Sequence, residues 1–236
     1  MLNTNIYFQL FNSTIKMQTQ EILEYQNEVD KYLLSKKYKI KENLKEIDFS
    51  DKESEEYNMM LEDSLSEEYR KFEQFYQNNL RFSTILFSYS CLEYQLKKIC
   101  NHIQDIKKLP FSVKDLQGQG DIEKVKKYLE KTCNLDLKVL NPEWDFINKL
   151  RLVRNTIVHS KGEFELSKDK DNTIAQFVKQ HSSLTVKHNL ENFEENIDDT
   201  YEIKIIDEKL NHEFVENITT FFDKLLKNIE NNLKIN

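Results

Sequence analysis

Apolar residues recur at three- and four-residue steps along much of this chain. The clearest run is Phe82, Ile85, Leu86, Tyr89, Leu92, Leu96, Ile99 and Ile103. That spacing is the period of one helix face, so it predicts a central core helix over Leu80–Ile106. This helix ends a helical stretch that starts at Ser54, with Ser64–Ser66 as its weak point. A second amphipathic stripe, Phe214, Ile218, Phe221, Phe222, Leu225 and Ile229, predicts a last helix over Asn211–Leu233. Upstream, Ile22, Leu23, Val29 and Leu33 mark a polar, acidic helix over Thr14–Ser35, followed by a short one over Lys39–Ile47.

Breakers punctuate the middle of the chain. Pro110 closes the central helix, and Asp121 is placed to cap a helix over Ile122–Thr132. Asn141 and Pro142 suit the N-cap and first position of a helix that runs to about Ser160, with Gly162 placed to end it. After Gly162 the pattern changes. Ser182–His188 and Tyr201–Ile206 alternate β-branched and polar residues, which predicts a small β-hairpin at about 182–206, before the last helix. No internal repeat is present.

Composition supports a mainly α fold, because only 3 Gly and 2 Pro occur in 236 residues. We expect a helical N-terminal extension over residues 1–65 and one helical domain over 66–236. No apolar run reaches the length of a membrane span, and the first ten residues have no basic region and no small-residue cleavage site of a secretory signal, so a cytoplasmic protein is expected. Cys91, Cys100 and Cys133 form no C-x-x-C pair and read as small buried hydrophobes in a reducing compartment. No histidine among His102, His181, His188 and His212 has a second ligand at i+3 or i+4, so neither a metal nor a cofactor is expected.

Charge is unevenly distributed. The net charge is -7, yet residues 71–190 carry 20 Lys and Arg against 14 Asp and Glu, between flanks that are both acidic. A polyanion could use that basic middle, and solvated helix faces account for it equally well.

The segment Glu143–Ser160 reads EWDFINKLRLVRNTIVHS. On a helical wheel Phe146, Leu150, Val153 and Ile157 form an apolar stripe, widened by Ile147 and Val158. Arg151, Asn155 and His159 step by four and form a polar ridge. Arg154 falls inside the apolar arc, where a guanidinium needs an anion, a partner or water. The chain has 30 Lys and only 4 Arg, and two of the four lie on this helix. In so Lys-rich a chain, arginine suggests a need for a flat, two-donor contact with phosphate.

Arg154-Asn155-Thr156-Ile157-Val158-His159 fits R-N-x-x-x-H, and the segment resembles the motif helix of HEPN (higher eukaryotes and prokaryotes nucleotide-binding) domains. The resemblance covers about residues 70–235 and includes the apolar helix before the motif and the glycine after it. It implies an antiparallel helical bundle whose motif helices face each other in a homodimer. The composite site would be a metal-independent endoribonuclease, leaving 2′,3′-cyclic phosphate and 5′-hydroxyl ends. His159 would be the general acid/base, Arg154 would hold the scissile phosphate, and Asn155 would orient the imidazole or the RNA backbone. Arg151 reads equally as a phosphate contact or a solvated charge. Glu93 and Tyr94 are candidates to support the site, or core-edge residues.

The resemblance further implies a toxin or phage-defence setting, with RNA as substrate and an antitoxin or defence protein as partner. Two alternatives stand beside it: a non-catalytic HEPN-like module that binds RNA or nucleotide, and a helical adaptor. Taken alone, His159 also fits a histidine interacting with the last carbonyls of its helix. One departure is plain. Some HEPN toxins continue as H-x-Y, where the tyrosine is modified, and here Ser160 and Lys161 follow His159.

Overall fold

The computed structural model describes residues 4–50, 53–118, 120–165, 169–188 and 200–233. Helix α1 spans Thr4–Lys45 and α2 spans Glu55–Arg70. A π-helical turn, Lys71–Tyr76, joins α2 without a break to α3, Gln77–Lys107. Helix α4, Asp121–Lys127, widens into a second π turn at Tyr128–Thr132, and α5 spans Asn141–Ser160. Strand β1 (Glu163–Glu165), α6 (Asp169–Gln180), β2 (Leu184–His188) and β3 (Thr200–Ile205) lead into α7, Lys209–Leu233.

The mainly helical fold follows from the scarcity of breakers. No Gly or Pro interrupts residues 55–107, so the stretch starting near Ser54 stays helical to Lys107. Ser64–Ser66 lies within α2, and the irregularity falls at the π turn instead. The two helices expected before residue 47 are one. Ser35-Lys36-Lys37-Tyr38 contains no helix breaker, so α1 runs unbroken for 42 residues, about 63 Å at 1.5 Å per residue. Its buried positions Phe8, Phe11, Ile15, Thr19, Leu23 and Gln26 keep three- to four-residue steps. Phe8, Phe11 and Ile15 belong to the same core as α3 and α7.

The central helix is α3. Ile85, Leu92, Leu96, Ile99 and Ile103 are fully buried, facing the α7 stripe of Phe214, Ile218, Phe221, Phe222, Leu225 and Ile229, which is equally buried. Helix α5 packs on α3, α6 and α7. Trp144 lies 5.0 Å from Phe221 between ring centroids and anchors the start of α5 on α7. Two caps differ from expectation by one residue. Gly120 is the N-cap of α4 with Asp121 in its first turn, and Leu140 is the N-cap of α5 with Asn141 as its first residue.

The expected hairpin is present as β2 and β3, paired antiparallel with Val186 opposite Ile203. The connecting residues 189–199 lie outside the described residues. A third strand, β1, pairs with the other edge of β3 and places Phe164 opposite Tyr201, giving the order β1-β3-β2. Helix α3 holds this sheet to the bundle. Arg81 Nη1 donates to the Ile205 carbonyl at 2.9 Å, and the Ile205 N–H donates to Asn78 Oδ1 at 2.9 Å. Neither β1 nor α6 was foreseen. Among the described residues no helix is long and apolar enough to cross a membrane.

Candidate active site

Helix α5 presents the R-N-x-x-x-H residues, and its register is set by Ile147, Leu150, Val153 and Ile157, all buried against α3 and α7. Phe146 is only partly buried and lies near Phe177 and Phe214. Val158, expected to widen the buried stripe, is 46 % exposed, because the core side of α5 narrows toward its C-terminus.

Arg154 is partly buried. Its guanidinium carbon stands 5.9 Å from the centroid of the Tyr89 ring on α3, and Nη1 donates to Asn155 Oδ1 at 3.0 Å. The ring face and the amide oxygen both attract a cation, so they explain how an arginine tolerates the apolar side of its helix. The Tyr89 ring is itself buried, and its hydroxyl meets no hydrogen-bond partner. Burial is the main reason its phenol is pushed well above the ordinary range, with Glu93 adding to the rise and Arg151 and Arg154 opposing it.

Glu93 sits one turn beyond Tyr89 on α3 and completes the acidic side of the site. Burial raises its carboxyl above the usual range, while Arg154 and Lys97 pull it down and Asp121 pushes it up. Lys97 and Asp121 form an ion pair that ties α3 to the start of α4. Arg151 is half-buried, and its Nε is enclosed without a hydrogen-bond partner. The two arginines thus bring donors to one surface, with the half-buried carboxylate of Glu93 interacting with Arg154.

His159 lies in the last turn of α5 and is exposed. The helix end is closed by backbone. Lys161 adopts the left-handed conformation at φ 53°, and the N–H groups of Lys161 and Gly162 both donate to the Thr156 carbonyl. Among the described residues none hydrogen-bonds to the His159 side chain. Asn155 stands one turn before His159 on the same ridge, while Arg154 is turned toward α3.

Of the residues singled out from sequence, Arg151 and Arg154 come together around Tyr89, Asn155 joins them by accepting from Arg154, and His159 lies at the exposed end of the same helix. Glu93 belongs to this group. Tyr94 does not, since it faces α1. Tyr89 was legible only as a core position. Its i,i+4 spacing from Glu93 was visible, but not that this face of α3 meets Arg154. Among the described residues no three His, Cys, Asp or Glu side chains converge. Comparisons with models of protein families, with curated proteins and with solved structures gave no match.

Proposed function

We propose that this protein is a metal-independent endoribonuclease of HEPN type, acting as a homodimer in a toxin or phage-defence setting. The observation that carries the reading is the posture of Arg154, held over Tyr89 and Asn155 on the face that also presents Arg151. A guanidinium so positioned offers its remaining N–H groups to a phosphate, and its charge grows in value as negative charge builds on the phosphoryl oxygens. The 2′-hydroxyl of the ribose attacks the adjacent phosphorus, and the 5′-oxygen of the next nucleotide leaves. His159, exposed and not engaged in capping, is available to take the proton of the nucleophile or give one to the leaving oxygen. One motif helix offers one Arg–His set, so the proposal pairs two copies with their α5 helices across a groove.

The test is cleavage of single-stranded RNA in EDTA by protein of known oligomeric state. Cleavage that persists, yields 2′,3′-cyclic phosphate ends and fails on a 2′-deoxy linkage supports the reading. Activity that needs added magnesium, or a fully active 28.4 kDa monomer in light scattering, overturns it. One observation favours a non-catalytic RNA-binding module instead: no described side chain hydrogen-bonds to the His159 imidazole to orient it. Protein that binds RNA and never cuts it would decide for that alternative.

A further inference from the structure

Helix α3 has a second functional-looking face. Tyr89 and Glu93 point to Arg154, but Phe87, Cys91 and Tyr94 point the other way and line a groove of about 600 Å³ against Gln18, Glu21 and Tyr25 of α1. Its three rings are open, with Phe87 60 %, Tyr94 61 % and Tyr25 56 % exposed. Among the described residues none of the three packs on another ring. Large aromatics left open beside a groove mark a binding surface.

We propose that this groove seats a nucleobase of the RNA strand whose phosphate Arg154 holds; the proposal rests on the ribonuclease reading above. Three features select a base as the occupant. The first is placement: the groove residues Phe87, Ser90, Cys91 and Tyr94 alternate along α3 with Tyr89 and Glu93, so a strand held at Arg154 reaches the groove by passing around one helix, roughly 10–12 Å across. The second is the mixture of groups. Aromatic faces stack on any base, and the amide N–H groups of Gln18, whose oxygen already accepts from Gln95, and the carboxylate of Glu21 can meet a base edge. A carboxylate only accepts, so Glu21 favours bases with an exocyclic amino group over uracil. The third is charge. Lys98, one turn beyond Tyr94 on α3 and exposed, supplies a cation for the next phosphate.

The experiment uses the full chain and single-stranded RNA carrying 2-aminopurine, with anisotropy reporting binding and base fluorescence reporting stacking. Wild-type protein is expected to quench the base and to slow alkylation of Cys91, the least buried of the three cysteines. The double variant Phe87→Ala, Tyr94→Ala should lose the quenching and weaken binding by about 5- to 150-fold per stacked base. Because both side chains are exposed, helicity should stay intact. Tyr94→Phe and Phe87→Tyr, which keep a ring, should retain the quenching. In Arg154→Ala, quenching at saturating RNA should survive while cleavage is lost.

RNA bound without quenching, or a double variant that binds and cuts like wild type, overturns the subsite and leaves the ribonuclease reading standing. A double variant that turns from dimer to monomer in light scattering also overturns it, since the rings would then hold a second copy. Quenching with no cleavage under any condition keeps the subsite and removes the nuclease. Wild-type protein with no RNA affinity removes both.

Discussion

Arg154 and Tyr89, 65 positions apart in sequence, meet with the guanidinium over the phenol ring at 5.9 Å. The arginine therefore sits on the apolar side of α5 without a full counter-charge. The ring supports it, Asn155 takes one of its donors, and Glu93 supplies a half-buried negative charge nearby. A cation held this way is positioned but not neutralised, which suits a group that must receive phosphate.

The first prediction follows from that contact. Arg154→Ala should weaken RNA binding and nearly abolish cleavage. Arg154→Lys should recover little, because an ammonium keeps the charge but loses the planar fork. Tyr89→Phe keeps the ring and should cleave like wild type, whereas Tyr89→Leu forfeits a cation–π contact worth about 0.5–2 kcal/mol and should lower the rate. Rates, RNA titrations and circular dichroism on all four variants check this. A Tyr89→Leu protein that is folded and fully active would remove the ring from the argument.

His159 separates catalysis from binding. His159→Ala should leave RNA affinity nearly unchanged while the cleavage rate falls by on the order of 10²–10⁴-fold. A histidine that serves only the helix end would instead cost about 1 kcal/mol of stability, with cleavage per folded molecule intact. Thermal unfolding and single-turnover cleavage on the same samples distinguish the two.

Glu93 should show itself in the pH dependence of stability. Its folded pKa is raised, chiefly by burial, so the folded state holds this proton more tightly than the unfolded chain. Its contribution is therefore favourable in acid and is lost as pH rises from about 4.3, the ordinary glutamate value, through the raised one. Glu93→Gln should be more stable than wild type at pH 7, and the advantage should vanish below about pH 4. Urea midpoints at the two pH values provide the measurement. A variant less stable at pH 7 would mean that attraction to Arg154 outweighs burial.

Two left-handed residues close α5, and they should respond oppositely. Lys161 carries a Cβ at φ 53°, so Lys161→Gly should stabilise the protein by about 1 kcal/mol. Gly162 has φ 93°, its carbonyl accepts from the Ile203 N–H at 2.9 Å, and an added Cβ would lie 3.6 Å from the Phe82 ring. Gly162→Ala should therefore destabilise by about 1–2 kcal/mol. Chemical denaturation measures both changes, and equal effects at the two positions would contradict the assignment.

The sequence by itself determined the elements whose patterns are long and regular. The stripe from Phe82 to Ile103, the stripe from Phe214 to Ile229 and the stretch ending at Gly162 became α3, α7 and α5, because burial of one helix face demands that spacing. The alternation in 182–188 and 201–206 likewise became the paired strands Leu184–His188 and Thr200–Ile205. Tertiary structure decided the rest. Three residues are too few to show a strand period, so β1 exists only because β3 offers it an open edge next to Gly162. The join within α1 is seamless because no breaker separates its halves, and its first turns bury Phe8 and Phe11 in the common core. The R-N-x-x-x-H residues were legible as a local motif, but the Tyr89 ring beneath Arg154 was not, nor the open rings of Phe87 and Tyr94 on the far side of α3. Periodicity along a chain states which residues share a face. Only the packing of α1, α3 and α5 together decides what each face meets, because that choice depends on contacts between residues far apart in sequence.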